Sequence, residues 1–416
     1  MRNILFSPPD ISELEIHEVA EALRSGWITT GLRVKELERR LAEYCGLPVH
    51  DKIPDFVCLN SCTAAEELNL RILGIGPGDE VIVPAYTYTA TASAAVHVGA
   101  KVVFIDSQPD SFQMDYDRME AAVNKRTKAV IPVDLGGVPC DYDRIFEVLE
   151  NKRRLFTPAG NTELGNRIQE ALGRIPVAAD CAHALGSSYH GKMTGSIADF
   201  SSFSFHAVKN FTTAEGGASA WRDIPGIDSE ELYHAYQLYS LHGQSKDALA
   251  KTQIGAWEYD IVAPWYKCNM TDVMAAIGLK QLERYQSLLE KRKKMIEIYD
   301  VGCDEAGIVH LKHFTSEWTS CGHLYITHIP GIDDETRRDV IRQMAEKGIT
   351  CNVHYKPLPM MTGYKKYGWR IENFPNAYGL YSNEVTLPLH TKLSFEEAEY
   401  VIETYKRIAK NVMAGS

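Results

Sequence analysis

The apolar and polar positions divide this chain into surface helices and short buried strands. From Ile11 to Ser25 apolar residues recur at the 3.6-residue spacing of a surface helix, which Gly26 closes. A second amphipathic helix is predicted from Val34 to about Tyr44, after the turn Trp27-Ile-Thr-Thr-Gly31. Then the pattern changes. Phe56-Val-Cys-Leu-Asn60, Glu80-Val-Ile-Val-Pro84, Lys101-Val-Val-Phe-Ile-Asp106 and Lys128-Ala-Val-Ile-Pro-Val-Asp134 are apolar runs too short for helices. Val177-Ala-Ala-Asp180 and Phe203-Ser-Phe205 continue the series. Helix-like segments separate these strands, so strand and helix alternate from about 56 to 210. That order predicts a mainly parallel sheet covered by helices. A long helical pattern from Asp272 to about Tyr299 follows, then short strands and two amphipathic helices near 334–347 and 394–410.

The expected fold class is therefore α/β. A three-layer large domain is expected over 1–289 and a smaller α+β domain over 290–416, joined by helix, because 416 residues are too many for one simple core. Residues 218–264 read as aromatic-rich and irregular. Residues 151–173 read as a surface excursion inserted between two strands.

Composition narrows the partners. With 45% apolar and 24% charged residues, the chain is an ordinary globular one, and its formal charge of −11 argues against nucleic acid. Lys291-Arg-Lys-Lys294 is the densest basic run, and its helical setting predicts a solvated face. The nine cysteines are odd in number, widely spaced and without a C-x-x-C pair, which predicts neither disulfides nor a zinc site. No apolar stretch approaches membrane-spanning length, and the first residues lack a signal-type apolar core. The expected location is the cytoplasm, without a membrane partner.

The candidate chemistry centres on two residues. Lys209 follows the run Phe203-Ser-Phe205 and precedes a polar loop ending in Gly216-Gly217. A lysine in a dry, aromatic setting loses its proton easily and can attack an aldehyde to form a Schiff base. Asp180 ends a short apolar run, at the strand end where open α/β sheets put their ligand sites. There it can face a protonated ring nitrogen, or merely cap a following helix. Ser61-Cys-Thr-Ala-Ala begins a helix whose free N–H groups can hold an anion or can simply be N-capped. Gly74-Ile-Gly-Pro-Gly78 is a turn rather than a dinucleotide loop, because it follows a helix and precedes a strand.

Asp180-Cys-Ala-His-Ala-Leu-Gly186, Ser204-Phe-His-Ala-Val-Lys209 and Glu215-Gly-Gly217 together resemble the DegT/DnrJ/EryC1/StrS family of sugar aminotransferases, and the resemblance runs along almost the whole chain. It implies a fold-type I pyridoxal phosphate enzyme, a homodimer with shared active sites. The implied substrates are a nucleotide-linked keto-sugar and an amino-acid donor, usually glutamate. Lys209 would bind the cofactor and shuttle the proton, and Asp180 would pair with the ring nitrogen. Tyr88 would stack on the ring, with Tyr86 as the alternative. His183 would sit beside the ring oxygen or Asp180. Thr63, Ala64 and Ser204 would hold the phosphate, together with Asn269 of the partner chain. Thr29, His354 and Tyr355 would border the sugar. Cys62 stands where many relatives have Gly. The segment Tyr266-Lys-Cys-Asn-Met-Thr-Asp272 resembles the form found in relatives that aminate carbon 4 of a 4-keto-6-deoxy sugar. Amination at carbon 3, sugar dehydration and a silent cofactor-binding regulator remain alternatives; the dehydratases carry His where this chain has Lys209, and no basic patch supports a regulator.

Overall fold

The computed structural model describes residues 2–246 and 258–415. Near the amino terminus lie α1 (Glu13–Arg24) and α2 (Leu32–Tyr44). Ser12 starts α1 through a reciprocal capping box with Glu15. Glu15 also accepts from Arg284 at 2.7 Å and from Gln281 at 2.8 Å, which ties α1 to a distant helix.

Seven strands make the main sheet: β1 (Phe56–Leu59), β2 (Glu80–Pro84), β3 (Lys101–Ile105), β4 (Thr127–Val130), β5 (Ala178–Asp180), β6 (Phe200–Ser204) and β7 (Gly217–Trp221). Their order is β1-β7-β6-β5-β4-β2-β3, with β4 and β5 joined by the parallel bridges Val130–Val177 and Val133–Asp180. β7 runs against both its neighbours, and the remaining pairs are parallel. Successive side chains of a strand face opposite ways. Accordingly Val57, Leu59, Val81 and Val83 enter one core, while Phe56, Cys58 and Ile82 enter another. Helices α3 (Cys62–Ile72) and α4 (Thr89–His97) contribute Leu68 and Ala92 to the first core; α2 contributes Leu37 and Leu41 to the second. The expected helix–sheet–helix layering follows.

Two stretches differ from the sequence reading. Residues 151–173 are no loose excursion. They carry α5 (Glu163–Leu172), N-capped by Thr162, with Ile168 and Gln169 fully buried and Gln169 donating to the Leu73 carbonyl. Residues 218–264 are not irregular throughout either: they begin with β7 and include α6 (Ser229–Ser240), capped by Asp228. Buried Leu232, Tyr233, Ala235 and Tyr236 sit at helical spacing, a period hidden by the density of aromatic residues. Residues 247–257 of that stretch lie outside the described residues.

The helix α7 (Asp272–Ala306) has 35 residues and so spans about 50 Å. Its first half gives Ala275, Leu279 and Leu288 to the second core of the main sheet. Its second half gives Met295, Ile296 and Tyr299 to a separate C-terminal core. There the antiparallel strands β8 (Val309–His310), β9 (Tyr325–His328) and β10 (Glu384–Leu387) pair in that order. Helices α8 (Asp334–Glu346) and α9 (Phe395–Gly415) add Val340, Ile402 and Tyr405. Ile4 reaches this core through its bridge to Ile349. The basic run on α7 is only partly a solvated face. Lys293 and Lys294 are exposed, but Arg292 is buried and donates to the carbonyls of Gly322 (3.1 Å) and Leu389 (3.0 Å), where the two cores meet. The nine cysteines are free, and no helix among the described residues is long and apolar enough to cross a membrane.

Candidate active site

A cavity of about 430 Å³ lies where β5 and β6 end and β7 and α3 begin. Thr63, Tyr88, Asp180, His183, Ser204, Lys209, His354 and Tyr355 all line it, so residues far apart in sequence meet on one surface.

Parallel pairing with Ser202 holds Asp180 at the last position of β5. The turn that follows is not a helix, which removes the helix-cap alternative. Thr91 Oγ1 donates to Asp180 Oδ2 at 2.7 Å, and the Ala182 N–H donates to Oδ1 at 3.0 Å. The carboxylate is thereby fixed in place.

Lys209 follows β6 on a turn closed by its own N–H to the His206 carbonyl at 2.9 Å. Among the described residues its amine has no hydrogen-bond partner. Burial pushes its pKa down to about 8, and the Asp180 carboxylate pulls the other way. About a tenth of the amine is then neutral at pH 7, far more than for an ordinary lysine.

The start of α3 forms a further part of the wall. Ser61 Oγ accepts the Ala64 N–H at 3.1 Å, and the first helical bond runs from the Ala65 N–H to the Ser61 carbonyl. The N–H groups of Cys62 and Thr63 are left with no helical acceptor, the arrangement that suits a phosphate. Ser204 pairs in register with Gly217 across from this turn. A Cβ on Gly217 would lie 2.2 Å from the Cys62 nitrogen, so only glycine lets β7 come so close. An anion cradle, a buried carboxylate and an unpaired amine together fit pyridoxal phosphate.

His183 is a neutral spacer. Its Nδ1 accepts the Gly136 N–H at 3.2 Å, which puts the proton on Nε2, 3.2 Å from the Tyr355 hydroxyl. Burial and the nearby Lys209 charge hold its pKa well below the usual value. His354 stacks on Phe6 at 5.4 Å, bonds Thr386 Oγ1 at 2.9 Å, and is pushed by burial down to about 3. Tyr88 is 59% exposed, with its ring 5.9 Å from Tyr355. Tyr86, by contrast, is buried and donates to the His354 carbonyl at 2.8 Å, a core position.

Three expected residues stand off the cavity wall. The Ala64 N–H is already used by Ser61. Thr29 is exposed, and its carbonyl accepts from the Asp272 N–H at 3.0 Å. Asn269 bridges to Leu59 at the end of β1 and bonds Thr30 and Lys267. Sequence reasoning overlooked Glu66, Thr87, His206 and Glu215, which also line the cavity. For Glu66 no local signal exists, because its burial depends on how α3 packs against the sheet.

Comparison with known proteins gives the site a context. The sequence profile of the DegT/DnrJ/EryC1/StrS aminotransferase family matches residues 9–155 and 167–406. The internal gap in this match, residues 156–166, lies within the 151–173 stretch. SpsC of Bacillus subtilis (strain 168), a spore coat polysaccharide biosynthesis protein, is 35% identical over 412 residues, 97% of each chain. The UDP-4-amino-4-deoxy-L-arabinose–oxoglutarate aminotransferase of Shewanella sediminis (strain HAW-EB3) is 33% identical, also over 97% of each chain. Among solved structures, Spr1654 from Streptococcus pneumoniae in its PMP form superposes with a TM-score of 0.93 at 56% identity, covering 99% of this chain and 100% of that one. Its PLP form gives 0.92.

Proposed function

The chain belongs to the DegT/DnrJ/EryC1/StrS aminotransferase family, and on that premise we propose that it transfers an amino group from glutamate to carbon 4 of a nucleotide-linked 4-keto-6-deoxy sugar. It is a sugar aminotransferase, and its cofactor is pyridoxal phosphate. The observation that carries the reading is the convergence of Lys209, Asp180 and the start of α3 on one cavity. Bound there, the cofactor supplies an aldehyde that condenses with amines and a ring that takes up electrons.

The chain's own residues do the rest. Lys209 Nζ holds the cofactor and, once displaced, takes a proton from the donor's Cα and returns it, as an amine with a pKa near 8 can. Asp180 keeps the ring nitrogen protonated. The N–H groups of Cys62 and Thr63, with Ser204, would hold the phosphate, and Tyr88 would cover the ring. Tyr355, His183 and His354 border the sugar from the C-terminal side of the cavity. The large unit, 1–289, would carry the cofactor, and the smaller unit, 290–416, would close the substrate side. Carbon 4 is favoured by the Tyr266 to Asp272 segment, and the relative from Shewanella sediminis is named for a 4-amino sugar. SpsC's name suggests a role in cell-surface polysaccharide.

Product NMR after supplying 4-keto and 3-keto nucleotide sugars with glutamate tests the position. The amine is expected on carbon 4, because a carbonyl must come within about 3.5 Å of the reacting nitrogen and the two sugars need different ring poses. An amine found on carbon 3 alone would refute the assignment.

The active unit of this reading is a homodimer, in which Asn269 serves the partner's phosphate. Mixing Lys209→Ala with Asn269→Ala protein then yields hybrid dimers with one fully wild-type site and one lacking both groups. Random pairing should recover about a quarter of wild-type activity. A mixture no more active than its separate components means that Asn269 acts within its own chain.

A further inference from the structure

One group on the cavity wall has no part in the mechanism above. Glu66 sits on the second turn of α3 and is only 3% exposed, an uncommon place for an acidic residue. Its Oε2 is fully buried and receives no hydrogen bond from any donor. Its Oε1 receives only the Cys62 thiol, at a sulfur–oxygen distance of 3.8 Å. The Cys62 sulfur and one carboxyl oxygen from each of Glu66 and Asp180 lie within 4.8 Å of one another. A carboxylate oxygen is an acceptor only. Two ionised carboxylates facing one another in a dry pocket repel, so one proton must be shared between them.

We infer that Glu66 is a permanently protonated carboxylic acid that donates its hydrogen bond to Asp180, a positioning residue for the carboxylate that meets the cofactor ring. This deepens the pyridoxal phosphate reading and rests on it for the role of Asp180. The proton resides on Glu66 because the two environments are unequal. Asp180 already has two donors that stabilise its charge, Thr91 Oγ1 and the Ala182 N–H. Glu66 has none but a thiol, and burial together with the Asp180 charge pushes its carboxyl well above the usual range. The other groups around the pair leave this assignment standing. Burial holds the Cys62 and Cys181 thiols, and the Tyr355 and Tyr364 hydroxyls, in their neutral forms. Lys209 is the nearby cation, and its charge acts on Asp180.

A neutral Glu66 does what an ionised one would undo. A second negative charge would repel the Asp180 carboxylate and disturb its position. A hydrogen bond donated to Asp180 instead helps to fix the rotamer of that carboxylate.

Two variants separate the possibilities. Glu66→Gln keeps shape and a donor, whereas Glu66→Leu keeps bulk and removes the donor. In cofactor-free protein at neutral pH, the infrared difference between wild type and Glu66→Gln should show the loss of one protonated-carboxyl band. Other raised acids, such as Glu384 (pushed up to about 8), cancel in that difference. In the holoenzyme, the pH midpoint of the cofactor's near-visible absorbance should stay put in Glu66→Gln. In Glu66→Leu it should rise by about one unit, because a bared Asp180 charge holds the cofactor's proton longer. Two results would overturn the inference: no protonated-carboxyl band lost, or a midpoint that falls in Glu66→Gln as removal of a negative charge demands. The infrared result needs no cofactor and no Leu variant. If the protein takes up no pyridoxal phosphate at all, the reading of the site fails while the proton sharing is still decided.

Discussion

Lys209→Ala should abolish transamination and leave the fold intact. The fold should survive because the amine has no hydrogen-bond partner to lose among the described residues, and removing it relieves the desolvation that depresses its pKa to about 8. The activity should not survive, because in the proposed mechanism the same amine both captures the cofactor and moves the proton at the donor's Cα. Loss of a positioned general base alone typically costs about 10²- to 10⁴-fold. The covalent role can be read separately. Borohydride treatment of protein reconstituted with pyridoxal phosphate should leave a cofactor adduct on the peptide carrying Lys209 and on no other. The free amine is the nucleophile, so the rate at which cofactor-free protein condenses with pyridoxal phosphate should climb as pH rises through about 8 and then level off. An adduct mapped to a different lysine, or a Lys209→Ala protein that turns over normally, would remove Lys209 from the mechanism.

The sequence made these two residues visible because each sits at the end of an apolar run, where period and composition change together. The strand Glu80–Pro84, whose five residues are all buried, leaves the same mark, and its bounds agree with the sequence reading; the strands read at Lys128–Asp134 and Phe203–Phe205 instead span Thr127–Val130 and Phe200–Ser204. Helix α6 was hidden for the opposite reason. Tyr233, Tyr236 and Tyr239 crowd a helix with other residues of similar hydrophobicity, so the apolar stripe has little contrast. Arg292 was hidden too, because a basic run looks alike whether its members face water or donate to carbonyls of a neighbouring unit. Glu66 shows a further limit. Its burial arises from β5 and α3 meeting across more than a hundred residues of chain, and nothing local in Ala65-Glu-Glu67 says which glutamate points inward.

Asp180→Asn should lower turnover by about 10²- to 10³-fold, the usual cost of deleting one preorganised electrostatic contact at a reacting centre. The substitution barely changes shape. An asparagine carbonyl can keep the Ala182 N–H bond, and its NH₂ can donate to Thr91 Oγ1, whose hydroxyl is free to turn toward Thr87 Oγ1 at 2.9 Å. The protein should therefore fold, and the loss should be one of charge. Two changes follow from losing that charge. The cofactor's ring nitrogen no longer has an anion to keep its proton, so the ring draws electrons less well. Lys209 also loses the one carboxylate that raises its pKa. Its pKa should then fall further below about 8, so condensation of cofactor-free Asp180→Asn with pyridoxal phosphate should reach its plateau at lower pH than in wild type. A purely structural Asp180, needed only to hold the turn after β5, predicts neither change. Near-normal turnover in Asp180→Asn would confine it to that role. A slow enzyme with an unshifted condensation profile would mean that the carboxylate acts on the ring but not on Lys209.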